Sequence, residues 1–269
     1  MDYKKLKVTS ADGIGVITLN DPATLNAAGL DLMNELTEAF KALAQPDSGV
    51  RCVVLTGEGR GFCSGANLSG GGALSPDRRG EDPEGPDAGA ALETVYNPFV
   101  TSLRDYPMPI VAAVNGAAAG VGCSLALAAD IVVAAESAYF LQAFRRIGLV
   151  PDGGATYMLS RSVGKARAME MALLGEKVPA RQALDWGLIN RCVPDDQLMP
   201  TAMELARTLA TGPKALGQIR KLIWEGLDAD WAGQLHAERM AQKHAGRTED
   251  FREGVSAFLQ KRQAQFQGR

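Results

Sequence analysis

The sequence predicts an α/β protein, and three observations carry that reading. Short, β-branched apolar runs of strand length recur at residues 15–19, 52–56, 110–114 and 131–134. Segments with apolar residues at helical spacing lie between them. The strand-like runs are apolar throughout instead of alternating, which predicts a sheet covered on both faces.

Taken in order, the N-terminal MDYKKLKV leads directly into a strand-like pattern with no apolar leader. A helix is expected over 30–43, where Leu32, Leu36, Ala39, Phe40 and Leu43 recur at helical spacing, and others over 94–106 and 124–129. Residues 69–89 are rich in Gly, Pro and charge and cannot build a core; a loop this long is an insertion or an active-site cover. From about Gly153 onward helical patterns dominate, at 165–174, 180–186, 196–210, 214–227, 231–245 and 250–265. We therefore divide the chain into a core, 1–195, and a C-terminal helical region, 196–269.

Composition removes several classes of function. A net charge of −3 with no concentrated basic face argues against a nucleic-acid partner, while leaving room for a small anionic ligand. Residues 110–129 are uncharged and long enough to span a bilayer, but Gly116, Gly120 and Gly122 interrupt them. A buried strand, a glycine loop and a packed helix are expected there, not a membrane span. Cys52, Cys63, Cys123 and Cys192 have no metal-ligand spacing and read as unpaired small hydrophobes in a reducing, cytoplasmic setting. The two histidines, His236 and His244, fall in a polar helix, and no Gly-x-Ser-x-Gly elbow occurs. A Ser-His-Asp hydrolase and a zinc site both lack their residues. Catalysis is left to a carboxylate, backbone donors and a hydroxyl.

Two junctions share one design, a buried strand running into a glycine turn. One runs from Cys52 to Leu68 through Gly57-Glu-Gly-Arg-Gly61 and Gly65; the other runs from Ile110 to Ser124 through Gly116, Gly120 and Gly122. Backbone N–H groups at such turns suit an oxyanion or a phosphate. Neither turn is a dinucleotide fingerprint or a Walker A loop. On composition alone, ligand-binding turns and tight packing turns both remain open.

The junctions also carry a resemblance. Gly61-Phe-Cys-Ser-Gly-Ala-Asn-Leu68 and Val114-Asn-Gly-Ala-Ala-Ala-Gly-Val-Gly-Cys-Ser124, closing at Asp130-Ile131, resemble the two signatures of the enoyl-CoA hydratase/isomerase (crotonase) family. The similarity runs from about Lys7 to Arg262. It implies a ββα spiral with a C-terminal helical trimerisation region, a homotrimer or homohexamer, and an acyl-CoA thioester substrate with no metal or redox cofactor. It also implies that the main-chain N–H groups of Ala66 and Val121 bind the thioester oxygen. Residues placed by it at the substrate are Leu25, Gly65, Asn67, Leu68, Gly120, Phe144 and Tyr157, with Phe258 and Lys261 near the CoA moiety.

Departures from the family pattern narrow the activity. The two glutamates of the family's hydratases are replaced here by Ser124 and Phe144, and the usual lysine after the Asn/Asp-x-Pro turn is absent, since Pro22 is followed by Ala23. Leu149-Val-Pro-Asp-Gly-Gly154 instead resembles the single-aspartate isomerase branches, and Tyr96-Asn-Pro-Phe99 and residues 251–262 resemble the ring-1,2-epoxyphenylacetyl-CoA isomerases. Asp152 is therefore expected to shuttle a proton, with a helix cap as its structural alternative. Phe144, Leu149 and Tyr157 are expected either to line its pocket and raise its pKa or to serve ordinary packing. An enoyl-CoA hydratase, and a non-catalytic acyl-CoA- or RNA-binding relative, are the competing readings.

Overall fold

The computed structural model describes residues 3–67 and 87–269. The strand-like N-terminus is β1 (Leu6–Ala11), antiparallel to β2 (Ile14–Leu19) at the edge of a large sheet. Helix α1 (Leu30–Leu43) follows, with Leu32, Met33, Leu36, Ala39, Phe40 and Leu43 buried on one face. From there the chain alternates between two sheets. β3 (Cys52–Gly57) joins the large sheet and β4 (Gly61–Cys63) opens a smaller one. After α2 (Asn97–Arg104), β5 (Ile110–Val114) and β6 (Ala117–Ala119) repeat that step before α3 (Val121–Leu127). β7 (Ile131–Ala135) and β8 (Tyr139–Leu141) repeat it again. This repetition is the expected ββα spiral. β3 and β5 are buried along almost their whole length, as the unbroken apolar runs imply.

Several elements differ from expectation. The run 110–129 resolves into β5, β6 and α3, so the glycine loop holds a strand; three-residue strands are too short to show a period in sequence. The helix expected at 124 starts at Val121, and the one expected over 94–106 opens with a π-helical turn at Leu92–Tyr96. The region after Gly153 is not purely helical. It begins with α4 (Ala155–Ser162), for which the sequence reading offers only a helix start after Asp152 and no bounds, and α5 (Gly164–Leu174). β9 (Val178–Pro179) then joins the small sheet, α6 (Ala180–Asp185) follows, and β10 (Arg191–Val193) joins the large sheet.

α7 (Leu198–Ala210) lies against β3 and β5 through Ala202, Ala206 and Ala210, small residues that allow close approach. α8 (Ala215–Gly226), α9 (Trp231–Ala245) and α10 (Glu249–Leu259) form an outer layer. α10 stops short of residue 265 because the chain turns back at Lys261 (φ 54°). Arg262 then pairs with Glu253, and the buried Asp250 carboxylate accepts from the N–H groups of Gln267 and Gly268. The four cysteines are unpaired. Among the described residues, no helix is long and apolar enough to cross a membrane.

Arg220 on α8 fastens the outer layer to the core. Its Nε donates to Asp130 at 2.7 Å, and its other nitrogens donate to the carbonyls of Leu103, Arg104 and Tyr106. The side chain is almost wholly buried, so removing it takes the charge partner from Asp130, which keeps the Ile110 N–H, and a donor from each of three carbonyls. Arg220→Met should cost about 3 kcal/mol in urea unfolding; a loss under about 1 kcal/mol would show the cluster to be dispensable.

Candidate active site

Two glycine turns define the site, one at the end of each of two neighbouring strands of the small sheet. After β4 the chain turns at Gly65 (φ 102°), and after β6 it turns at Gly120 (φ 53°). The turns touch: a Cβ on Gly120 would lie 3.7 Å from the Gly65 Cα, and one on Gly65 would lie 3.0 Å from the Ala119 carbonyl oxygen. Glycine is required at both for its backbone angle, and at Gly65 also for space. Elsewhere in the same junctions, Gly116 and Gly122 press against the carbonyls of Arg60 and Cys63. Packing accounts for this second pair of glycines, while Gly65 and Gly120 each precede a residue, Ala66 or Val121, whose N–H has no acceptor among the described residues.

The carbonyl of Gly65 accepts from the Ala28 N–H at 2.7 Å, and that of Gly120 accepts from the N–H groups of Cys123 and Ser124 at 3.0 and 3.3 Å. In a planar trans peptide the carbonyl and the following N–H point in opposite directions. These bonds therefore aim the N–H groups of Ala66 and Val121 away from their own supports. Among the described residues, no group accepts from either.

Ala66 and Asp152 line one cavity of about 470 Å³, walled by Leu92, Tyr96, Leu149 and Val150 among others. One carboxylate oxygen of Asp152, Oδ1, is fully buried and has no hydrogen-bond partner among the described residues. Burial raises the group's pKa from its ordinary value to about 6. The main chain of Asp152 is firmly held. Its carbonyl accepts from the Ser124 hydroxyl at 2.9 Å and from the Ala155 N–H at 3.0 Å. The α4 N-cap is Gly154, with no side-chain capping bond, so the Asp152 carboxylate is not a helix cap.

The other expected site residues separate into groups. Gly65, Gly120 and Asn67 belong to the turns or the cavity wall, and Leu149 lines the cavity beside Asp152. Phe144 is buried behind the second turn, its ring 3.7 Å from where a Gly120 Cβ would stand. Leu25 supports the first turn through its carbonyl, which accepts from the Ser64 N–H at 3.0 Å, but does not line the cavity. Tyr157 requires a correction: it does not line the cavity either. Its hydroxyl donates to Asp228 at 3.0 Å and its ring lies 3.6 Å from the Arg161 guanidinium, because its position on α4 turns it toward α8. Phe258 is largely exposed and lines a groove among α8, α9 and α10, which shares no residue with the Asp152 cavity; Lys261 lies just beyond α10. Leu68 and most of the 69–89 loop fall outside the described residues, though Ala88 and Gly89 line the cavity.

Two residues escaped the sequence reading of the site. Asn26 is fully buried at φ 56°; its Nδ2 donates to the carbonyls of Gly61 and Glu58, and its Oδ1 accepts from the Asp21 N–H. The available signal was an asparagine, the side chain that best tolerates this backbone angle after glycine. Tyr96 falls in an expected helix and in a stretch of family resemblance without a role at the site, yet its hydroxyl donates to the Ala28 carbonyl at 2.6 Å on the cavity wall.

Comparison with known proteins gives the family. The enoyl-CoA hydratase/isomerase family profile matches residues 9–269. The chain belongs to the enoyl-CoA hydratase/isomerase (crotonase) family. It is 46% identical over 260 residues to the 1,2-epoxyphenylacetyl-CoA isomerase of Escherichia coli (strain K12), covering 96% of each chain. It is 44% identical over 270 residues to a Rhodobacter capsulatus protein named as a probable enoyl-CoA hydratase, covering 100% of each. The crystal structure of an enoyl-CoA hydratase from Polaromonas sp. JS666 superposes with a TM-score of 0.88 at 36% identity, over 97% of this chain and 99% of that one. As a crotonase-family enzyme, the protein has acyl-CoA hydratase/isomerase activity, and both reaction names occur among its relatives.

The raised pKa of Asp152 has a consequence for stability. Ionisation is harder in the folded state than in the unfolded chain, so it opposes folding. The penalty is absent below about pH 4 and complete above about pH 6. Asp152→Asn should therefore gain about 1–2 kcal/mol at pH 7.5, after allowance for partial solvent screening. The gain should vanish at pH 4. Urea titrations at the two pH values check this, and an equal effect at both would contradict it.

Proposed function

We propose that this crotonase-family enzyme is a single-carboxylate acyl-CoA isomerase. The observation that carries the reading is the buried, unpartnered oxygen of Asp152 beside Ala66. An unpaired buried carboxylate is costly to keep, and such groups concentrate at functional sites.

The thioester oxygen of the substrate accepts from the N–H groups of Ala66 and Val121. Charge developing on that oxygen as an enolate forms is met by preorganised donors, each worth roughly 3–4 kcal/mol at comparable sites. Asp152 removes the C2 proton of a 3-enoyl-CoA, the double bond moves to C2–C3, and the protonated carboxyl returns the proton at C4. With a pKa of about 6 the group is ionised before the reaction at neutral pH and acidic enough to give the proton back. With a ring-epoxide phenylacetyl-CoA, the same groups assist opening of the epoxide to an oxepin. Both routes are redox-neutral and call for no cofactor beyond the coenzyme A that the substrate carries.

Ser124 and Phe144 stand where the family's hydratases carry glutamates. Ser124 Oγ is engaged with the Asp152 carbonyl, which disfavours a second proton-transfer group there. The hydratase-named Rhodobacter capsulatus relative favours a second reading, in which Asp152 alone activates water. We further infer a cytoplasmic homotrimer or dimer of trimers. Ile223, Phe251, Phe258 and Leu259 on the outer helical layer are each more than half exposed, an apolar surface suited to a neighbouring subunit.

Isomerisation of 3-hexenoyl-CoA, hydration of crotonyl-CoA and conversion of the ring epoxide of phenylacetyl-CoA, assayed side by side, separate these readings. Isomerisation, linear or ring-epoxide, should exceed hydration, with an acid limb in kcat/KM near pH 6. Asp152→Asn should lower it about 10³-fold. Hydration as the faster reaction, or full turnover by Asp152→Asn, would refute the shuttle.

A further inference from the structure

Tyr96 shares the cavity wall with Ala66 and Asp152, and its ring is buried. Its hydroxyl donates to the Ala28 carbonyl at 2.6 Å. Ala28 is itself fully buried, and its N–H donates to the Gly65 carbonyl at 2.7 Å. That carbonyl and the Ala66 N–H belong to one rigid peptide plane. Gly65 has no Cβ to restrain the plane, so the bond from Ala28 sets its direction. The segment carrying Ala28 needs restraint at both ends. At its start, Leu25 and Asn26 hold positive φ values of 55° and 56°, and Asn26 is fastened to Gly61 and Glu58. At its other end, the Ala28 carbonyl is fastened by Tyr96.

We propose that Tyr96 is a positioning residue for the thioester-binding N–H of Ala66: its hydroxyl holds Ala28, Ala28 holds the Gly65–Ala66 peptide, and the tilt of that peptide sets how firmly the substrate oxygen is gripped. The inference rests on the isomerase reading above and adds a residue to it. Tyr96 transfers no proton in this role. Its own proton lies on the Ala28 carbonyl, and burial together with the nearby Asp152 holds its pKa up at about 12.

The test compares two ligands that do not turn over, hexanoyl-CoA and its thioether analogue S-hexyl-CoA, which lacks the carbonyl oxygen. Their dissociation constants are measured by calorimetry on the intact protein. The parent should bind the thioester about tenfold more tightly than the thioether. In Tyr96→Phe that preference should fall to about twofold, with S-hexyl-CoA affinity unchanged. For 3-hexenoyl-CoA, KM should rise about as much as the hexanoyl-CoA dissociation constant, roughly fivefold, and kcat should fall about tenfold, less than the loss of a whole oxyanion donor. Equal weakening of both ligands, or an unchanged preference, would overturn the proposal. If Tyr96→Phe does not fold, 3,5-difluorotyrosine at position 96, a stronger donor of nearly the same shape, should hold the preference at or above the parent value, and a fall would overturn it. Asp152→Asn should lose turnover yet keep the preference. A parent preference near one would instead refute the oxyanion site, and this inference would fall with it.

Discussion

The close approach of Gly65 and Gly120 is the contact on which the site depends. Two parallel strands of the small sheet, β4 and β6, end in turns that meet with no side chain between them. Each turn is fixed by a bond to a carbonyl, and each leaves the following N–H without a partner among the described residues. A donor in that condition is unfavourable in a folded chain unless a ligand or solvent meets it. The fold supplies this arrangement by repetition, since the steps β3–β4, β5–β6 and β7–β8 each carry the chain from the large sheet to the small one and end the short strand at a similar level. Strands of three residues contribute little binding energy of their own. They are held by neighbours such as Gly116, pressed against Arg60, and Asn26, which ties three stretches of backbone together.

Legibility in the sequence followed the length of the signal. Strands β2, β3, β5 and β7 of the large sheet and helix α1 were readable because their apolar runs are long enough to show a pattern, and their observed bounds fall within about a residue of expectation, whereas the three-residue β10 was not readable. The small sheet was not, because Gly61–Cys63 or Ala117–Ala119 is too brief to show alternation. Within the site, the glycine turns and Asp152 were legible through family resemblance. Composition alone could not separate packing glycines from glycines beside unpartnered amides, since one junction contains both. Tyr157 was misplaced because adjacency to a helix start says nothing about which way a side chain faces; the direction follows from α4 packing beside the Arg104, Arg161 and Asp228 cluster. Asn26 and Tyr96 were missed for the converse reason. Each looks like an ordinary loop or core residue until its hydrogen-bond partner, a main-chain carbonyl far along the chain, is known.

Of the two positions where the family's hydratases carry glutamates, 124 and 144, position 124 lies against the turn that carries Asp152. A Cβ on Gly153 would stand 3.0 Å from Ser124 Cβ, so the turn that carries Asp152 lies directly against this residue. A carboxylate at 124 would place a second negative charge beside the first, and two such groups in a poorly solvated wall do not ionise independently. Serine instead donates to the Asp152 carbonyl and stiffens the backbone from which the lone carboxylate projects. Desolvation is then the dominant cause of the raised pKa of Asp152, with no neighbouring charge needed to produce it. A group tuned by burial alone responds to whatever fills the cavity. An acyl chain that displaces water raises its proton affinity further, and does so only when a substrate is seated. Under the proposed mechanism, the same event that presents the C2 proton therefore strengthens the base that takes it.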